Sequence, residues 1–178
     1  MKVHEQHKKK GPKIVNIAIV IVSTTRYNEI QKGLESTDKT IPLITQILNE
    51  HSDISLNATE IVSDSAEQIK KVLDHFLSQS SIHAIIFSGG TGLTSKDITY
   101  ETIQPLLEKE ITGFGELFRF LSYKEIGAAG MLSRATGGKI KNKAIFLLPG
   151  SPKAVLLALK ELLIPELRHI VYMITKEE

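Results

Sequence analysis

The run Ser88-Gly89-Gly90-Thr91-Gly92 puts three glycines in four positions, directly after a short apolar stretch at 83–87. Glycine tolerates positive φ and lets a ligand approach the backbone closely. Successive peptide N–H groups in such a turn form a nest for an anion. The run has neither the Gly-Lys-Ser/Thr ending of a P-loop nor the spaced glycines of a dinucleotide fingerprint, and a plain tight turn is the competing explanation. Asp97 lies just beyond it. A carboxylate beside a phosphate loop repels the substrate unless a divalent cation lies between them, and Mg²⁺ typically takes one or two carboxylates plus phosphate oxygens. Asp64, after the preceding predicted strand at 55–62, can supply a second carboxylate at the same edge. Each aspartate taken singly has an ordinary alternative as a helix N-cap. As a pair around a glycine loop, they point to metal-assisted phosphoryl chemistry.

Other candidates are weaker. Pro149-Gly150-Ser151-Pro152 is a rigid turn entering a helix. It either presents Ser151 and the helix N-terminus to an anion or simply redirects the chain. Six histidines (His4, His7, His51, His75, His83, His169) show no metal-ligand spacing and read as surface or core filler. The sequence has no cysteine, which excludes disulfides, thiolate catalysis and Cys-ligated zinc.

Hydrophobic period and punctuation supply the elements that must position these residues. Residues 14–22 are almost continuously apolar and β-branched, as expected of a strand buried on both faces. A polar stretch, 23–39, and a helix at 40–49 follow. Further strands are predicted at 55–62, 83–87 and 144–148, and further helices at 66–78, 99–108, 115–123, 153–163 and 166–175. Asp64 is the predicted cap of the 66–78 helix, with Glu67 as reciprocal partner. Pro165 divides the last two helices. The 153–163 helix has so little polar face that it is either central or covered by another subunit. Strands alternating with helices imply an α/β fold with a mostly parallel sheet covered on both faces. Ligands in such sheets bind beyond the carboxyl ends of the strands, where the loops after Val22, Val62, Phe87 and Leu148 fall.

The 178 residues, 42% hydrophobic and 24% charged, fit one globular domain. The formal charge of +2 conceals an asymmetry. Residues 1–13 hold five lysines and one acid, leaving 17 basic and 19 acidic side chains in the body. A slightly acidic body argues against a nucleic-acid groove. The basic tail is predicted to be disordered and dispensable, leaving 14–178 as the single domain. No segment reaches the ~18 consecutive apolar residues of a membrane span, so a cytoplasmic location is the default and no membrane partner is expected.

The segment 88–99, Ser-Gly-Gly-Thr-Gly-Leu-Thr-Ser-Lys-Asp-Ile-Thr, resembles the nucleotide loop of the molybdopterin adenylyltransferases, the MoaB/Mog group. Residues 61–64, 108–116, 131–135 and 148–152 resemble further blocks of that family in order, and the Ser133-Arg134-Ala135 order is that of its MoaB branch. The likeness spans about residues 14–172. It implies a three-layer α/β/α sandwich and a Mg²⁺-dependent reaction in which the terminal phosphate of molybdopterin attacks the α-phosphorus of ATP and pyrophosphate leaves. It implies catalytic, metal-holding roles for Asp64 and Asp97. Nucleotide or pterin contacts fall on Ser88, Gly89, Gly90, Thr91 and Gly92, on Asp38, and on Gly113, Glu116 and Ser133. The turn residues Pro149, Gly150 and Ser151 complete them. It also implies a homo-oligomer, trimer or hexamer, and other molybdenum cofactor biosynthesis enzymes as partners. One departure is visible: the first loop reads Ser23-Thr24-Thr25-Arg26-Tyr27 instead of Ser-Asp-Arg. A competing class is a pterin- or nucleotide-binding oligomer that acts as carrier or scaffold without turnover.

Overall fold

The structure is a computed structural model describing residues 3–176. In chain order its elements are α1 (Val3–Lys10), β1 (Val15–Val22), α2 (Thr24–Gln31), α3 (Thr40–Leu48), β2 (Ile54–Val62), α4 (Ala66–Ser78), β3 (Ala84–Ser88), α5 (Thr99–Ile103), β4 (Lys109–Glu110), α6 (Thr112–Ile126), β5 (Thr136–Ile140), β6 (Lys143–Leu148), α7 (Pro152–Ala158) and α8 (Ile164–Thr175). The six strands form one sheet in the order β2-β1-β3-β6-β5-β4. The β2, β1, β3 and β6 strands run parallel, whereas β5 and β4 are antiparallel additions.

The uninterrupted apolar strands are sorted by the pleat. Ile17, Ile19 and Ile21 of β1, with Ile86 and Phe146, face a cluster containing residues of α3, α6, α7 and α8. Ala18, Val20 and Val22, with Ile85 and Phe87, face a second cluster built with α4 and Ile103 of α5. Successive side chains of a strand point to opposite faces, so both layers of helices find an apolar surface. This is the sheet covered on both faces that the alternating pattern implies, and the three-layer α/β/α sandwich that the family resemblance implies. Among the described residues no helix is long and apolar enough to cross a membrane.

Several local expectations need correction. The strands β4 and β5 carry no sequence signal. The β5 segment Thr-Gly-Gly-Lys-Ile contains two glycines, which weaken strands. Here they permit close approach: a Cβ on Gly137 would lie 2.6 Å from the Phe146 ring, and one on Gly138 would lie 2.5 Å from the Lys109 carbonyl oxygen. The polar stretch after β1 contains α2. Asp64 does not cap α4; Ser65 does, and Gln68, not Glu67, reaches back to the Ser63 amide at 3.0 Å. Pro165 does not separate two helices either. A π-helical turn, Leu159–Leu163, joins α7 to α8, and Pro165 sits in the first turn of α8, where its missing N–H costs nothing. The apolar 153–163 stretch is central: Val155, Ala158, Leu159 and Leu163 are buried in the chain's own core.

The tail expectation fails for the described residues. Residues 3–10 are helical, and the segment that follows is tied to α8, where Arg168 Nε donates to the Pro12 carbonyl at 3.0 Å. Composition overlooked His7, whose ring packs 5.4 Å from His169 and 5.3 Å from Tyr172. His7 Nδ1 and His169 Nε2 are 3.3 Å apart, and Glu166 accepts from the far side of His169 while pairing with Lys8. Burial, then the charges of His169, Lys176 and Lys10, hold His7 below the usual histidine value. Burial pushes Glu166 up most, yet its bonds to Lys8 and His169, with their charges, together outweigh that push and hold it low. Both shifts have the same sign in effect. A histidine with a depressed value in the docked state binds fewer protons there, so docking is favoured above about pH 6.5 and weakens as pH falls below it. The depressed carboxylate adds a further loss at more acid pH. Deleting residues 1–12 is therefore expected to lower Tm by roughly 2–4 °C at pH 7.5, and by less at pH 5.5, by calorimetry. Equal Tm values for the full and shortened chains at pH 7.5 would contradict this docking.

Candidate functional site

The strand ends predicted to meet do meet. At the carboxyl edge of the parallel strands, a cleft of about 400 Å³ is lined by Val22, Ser23, Arg26 and Asp64, by residues 89–92 and Asp97, by Leu132, Ser133 and Arg134, and by Pro149 and Gly150. The glycine loop is built into the sheet. Gly89 has φ +108, and its N–H donates to the Leu148 carbonyl at 3.0 Å. A Cβ at Gly89 would collide with the Val22 carbonyl oxygen. Gly90 has φ +63, its carbonyl accepts from the Thr99 amide at 2.8 Å, and a Cβ there would collide with the Thr99 hydroxyl. Ser88 is buried and its hydroxyl donates to the Pro149 carbonyl at 3.2 Å, which joins the two loops. Gly150 is equally constrained, because a Cβ there would sit 3.2 Å from the Gly89 Cα.

The two aspartates flank this loop and are held differently. Asp97 Oδ2 accepts from the Thr94 amide at 3.0 Å and the Thr94 hydroxyl at 2.6 Å. The Thr94 hydroxyl bond is the main reason its carboxyl stays below the usual range; burial opposes, while the Gly92 amide and Arg134 add to the lowering. Asp97 does not cap α5, whose N-cap position is Ile98 with no side-chain bond. Asp64 Oδ2 accepts from the amide and hydroxyl of Thr24, both at 2.8 Å. Its Oδ1 faces Gly90, 3.3 Å from where a Cβ of that residue would stand. Thr24, part of the loop that departs from Ser-Asp-Arg, thus anchors Asp64.

The remaining predicted residues divide. Ser133 lines this cleft and also a neighbouring one of about 410 Å³, in which Glu116, Tyr100, Glu110, Arg119 and Thr136 take part. Gly113 and Asp38 line neither cleft. Asp38, with only 3% of its side chain exposed, accepts from the Ile41 amide at 2.7 Å and lies 3.6 Å from Arg26 Nε. Through Arg26 it touches the cleft indirectly. Ser151 also falls outside, since its hydroxyl accepts from the Ala154 amide as the N-cap of α7. Sequence reasoning missed Arg26, Thr24, Thr94 and Arg134 as site residues. Arg134 is the shared wall of both clefts. It lies 42 residues from Gly92, and no local spacing signals that pairing.

Fold and site together define an α/β protein whose mostly parallel sheet carries, at its carboxyl edge, a cleft lined by a glycine-rich loop between two aspartates. The chain belongs to the molybdopterin-binding domain family of MoaB-type molybdenum cofactor biosynthesis proteins: the family described as "Probable molybdopterin binding domain" matches residues 18–169. It is 42% identical over 173 residues to molybdenum cofactor biosynthesis protein B of Bacillus cereus, covering 97% of this chain and 98% of that one. The Bacillus subtilis protein of the same name is 41% identical over 175 residues, with 98% of each covered. A crystal structure of a molybdenum cofactor biosynthesis protein B superposes with TM-score 0.83 at 41% identity, covering 93% of this chain and 99% of that one. The tungsten cofactor synthesizing protein MoaB from Pyrococcus furiosus gives 0.78 at 35% identity, with 93% and 99% covered.

Proposed function

We propose that this protein is a nucleotidyltransferase of molybdenum cofactor biosynthesis that transfers the adenylyl group of ATP to the terminal phosphate of molybdopterin, releasing pyrophosphate. The observation that carries this reading is the glycine cradle flanked by Asp64 and Asp97, with a second cleft adjoining it across Ser133 and Arg134. The amides of Gly90 and Thr91 have no partner among the described residues and suit phosphate oxygens. The second cleft has room for a pterin beside them. The described residues contain no cluster of three or more His, Cys, Asp or Glu that could hold a metal alone. That donor set fits Mg²⁺, which completes its shell with phosphate oxygens and water. Asp64 Oδ1 and the Asp97 carboxylate would hold the ion, and its contribution when bound is to neutralise phosphate charge. The chain's own work is positioning, since phosphoryl transfer asks for little covalent participation from the protein. The test is ATP turnover with purified molybdopterin, following pyrophosphate. Binding of both without pyrophosphate release would identify a carrier or scaffold instead.

Asp64→Asn removes the carboxylate charge while leaving an acceptor for Thr24. The half-saturating magnesium concentration is expected to rise tenfold or more, with Tm nearly the same. An unchanged magnesium titration would remove Asp64 from the metal site.

The same reading includes a homo-oligomer, a trimer or a hexamer. The interface argued for is not the central 153–163 stretch. It is the face of α6 and the 3-10 turn after it, where Leu117, Phe120, Tyr123, Ile126, Met131 and Leu132 are each more than half exposed. An apolar face of this extent is unusual on a monomer. Met131 and Leu132 also line the two clefts, so the face runs to the site's rim. Light scattering at micromolar concentration is expected to give three or six times the 19.7 kDa chain mass. A stable monomer would refute this.

A further inference from the structure

Arg134 makes more contacts with the glycine loop than any role as a loose cation requires. Its Nε donates to the Thr91 carbonyl at 2.9 Å, and Nη2 donates to the Gly92 carbonyl. Nη1 and Nη2 both donate to the Glu101 carboxylate, Nη2 at 3.2 Å. The guanidinium carbon lies 4.9 Å from the centroid of the Tyr100 ring, within range of a cation–π contact. About three quarters of the side chain is withdrawn from solvent. Every guanidinium nitrogen is therefore occupied by protein, and two of the three hold consecutive carbonyls of one loop. A rigid planar fork can hold two neighbouring acceptors at once; a lysine ammonium is a point charge on a flexible stem.

We propose that Arg134 is a positioning residue: its fork fixes the Thr91 and Gly92 carbonyls away from the substrate and so sets the direction of the Gly92 and Leu93 amides and the path of the loop from the phosphate-facing Gly90 and Thr91 to Asp97, with Glu101 and Tyr100 locking the fork. The inference rests on the adenylyl-transfer reading above. Arg134 acts here through geometry, not through its charge on the nucleotide. Holding both carbonyls of the Thr91–Gly92–Leu93 peptide pair fixes the two peptide planes, and the N–H of each plane, that of Gly92 and that of Leu93, turns with its carbonyl; the Gly92 N–H is the one that bonds the Asp97 carboxylate. A tilt of that loop misplaces the phosphates, and misplacement of about 1 Å costs about 100-fold in rate.

The experiment compares Arg134→Lys, Arg134→Ala and Glu101→Gln in the full chain. Measured are Tm, kcat and KM for ATP in pyrophosphate release, and ATP binding by titration calorimetry. Arg134→Lys, which keeps the charge, is expected to lose about 100-fold in kcat/KM, nearly as much as Arg134→Ala. Glu101→Gln, which loosens the fork but leaves it in place, is expected to lose about tenfold. Millimolar guanidinium is expected to restore part of the Arg134→Ala activity and none of any other variant's. Arg134→Lys at wild-type kcat/KM would overturn the proposal, because charge alone would then suffice. So would wild-type kinetics in Glu101→Gln together with no guanidinium rescue. A wild-type protein that binds ATP but releases no pyrophosphate refutes the transfer reading instead. In that case the calorimetric affinities decide the loop role: unchanged ATP affinity in Arg134→Lys overturns it, and a weakened one supports it.

Discussion

Asp97→Asn is expected to reduce the rate of pyrophosphate release about 100- to 1000-fold, the scale of losing one preorganised charge-stabilising group, while leaving Tm within about 3 °C. The two halves of this prediction have separate causes. On the proposed reading the reaction needs the full negative charge, and the Thr94 hydroxyl and amide hold the Asp97 carboxyl below its usual range. The fold requires only an acceptor for Thr94 and contact with Gly92, and the amide oxygen of Asn supplies the acceptor. Asp97 caps no helix, so no cap is lost. The measurement is pyrophosphate release alongside thermal denaturation. A variant that melts more than about 10 °C early would show that Asp97 chiefly holds the 92–97 turn and that its effect on rate is secondary.

Gly89→Ala is expected to be the most damaging single-methyl substitution in the molecule. At φ +108 an L-residue is strained by about 1–3 kcal/mol, and the added Cβ would collide with the Val22 carbonyl, a backbone atom at the end of the interior strand β1 that cannot give way cheaply. Together these suggest about 3 kcal/mol, or a fall of roughly 6–12 °C in Tm for a domain of this size. Since Gly89 also ties the cradle to Leu148, nucleotide binding should weaken with stability. Gly113→Ala is the matched control. Nothing lies within 4 Å of a Cβ at Gly113, and its φ is not positive. It stands in the first turn of α6, where alanine is the better helix former, so Tm should hold or rise slightly. Equal Tm changes in the two variants would refute the argument from Gly89's backbone.

Much of this was legible in the residues. The four parallel strands were, and β1, β3 and β6 stand out because strands buried on both faces need nearly unbroken apolar runs. So was the gathering of the loops after Val22, Val62, Phe87 and Leu148, because parallel strands bring their carboxyl ends to one edge. Other features were not. The antiparallel pair β4 and β5 was invisible because Gly137 and Gly138 meet the needs of Phe146 and the Lys109 carbonyl, not those of strand propensity. The α1 helix was missed because its docking depends on His7 meeting His169 and Tyr172, 162 and 165 residues away.

The sequence by itself determined the layered α/β class and singled out the glycine loop and the two aspartates that line one cleft with it. Those follow from local rules: period, backbone freedom, and the charge that phosphate chemistry demands. Only the tertiary structure decided how the aspartates are held, by Thr24 and Thr94 and not as helix caps. It alone placed Asp38, Gly113 and Ser151 outside the clefts and brought Arg134 onto the cradle. Hydrogen-bond partners distant along the chain depend on crossovers and packing, and no residue spacing encodes them.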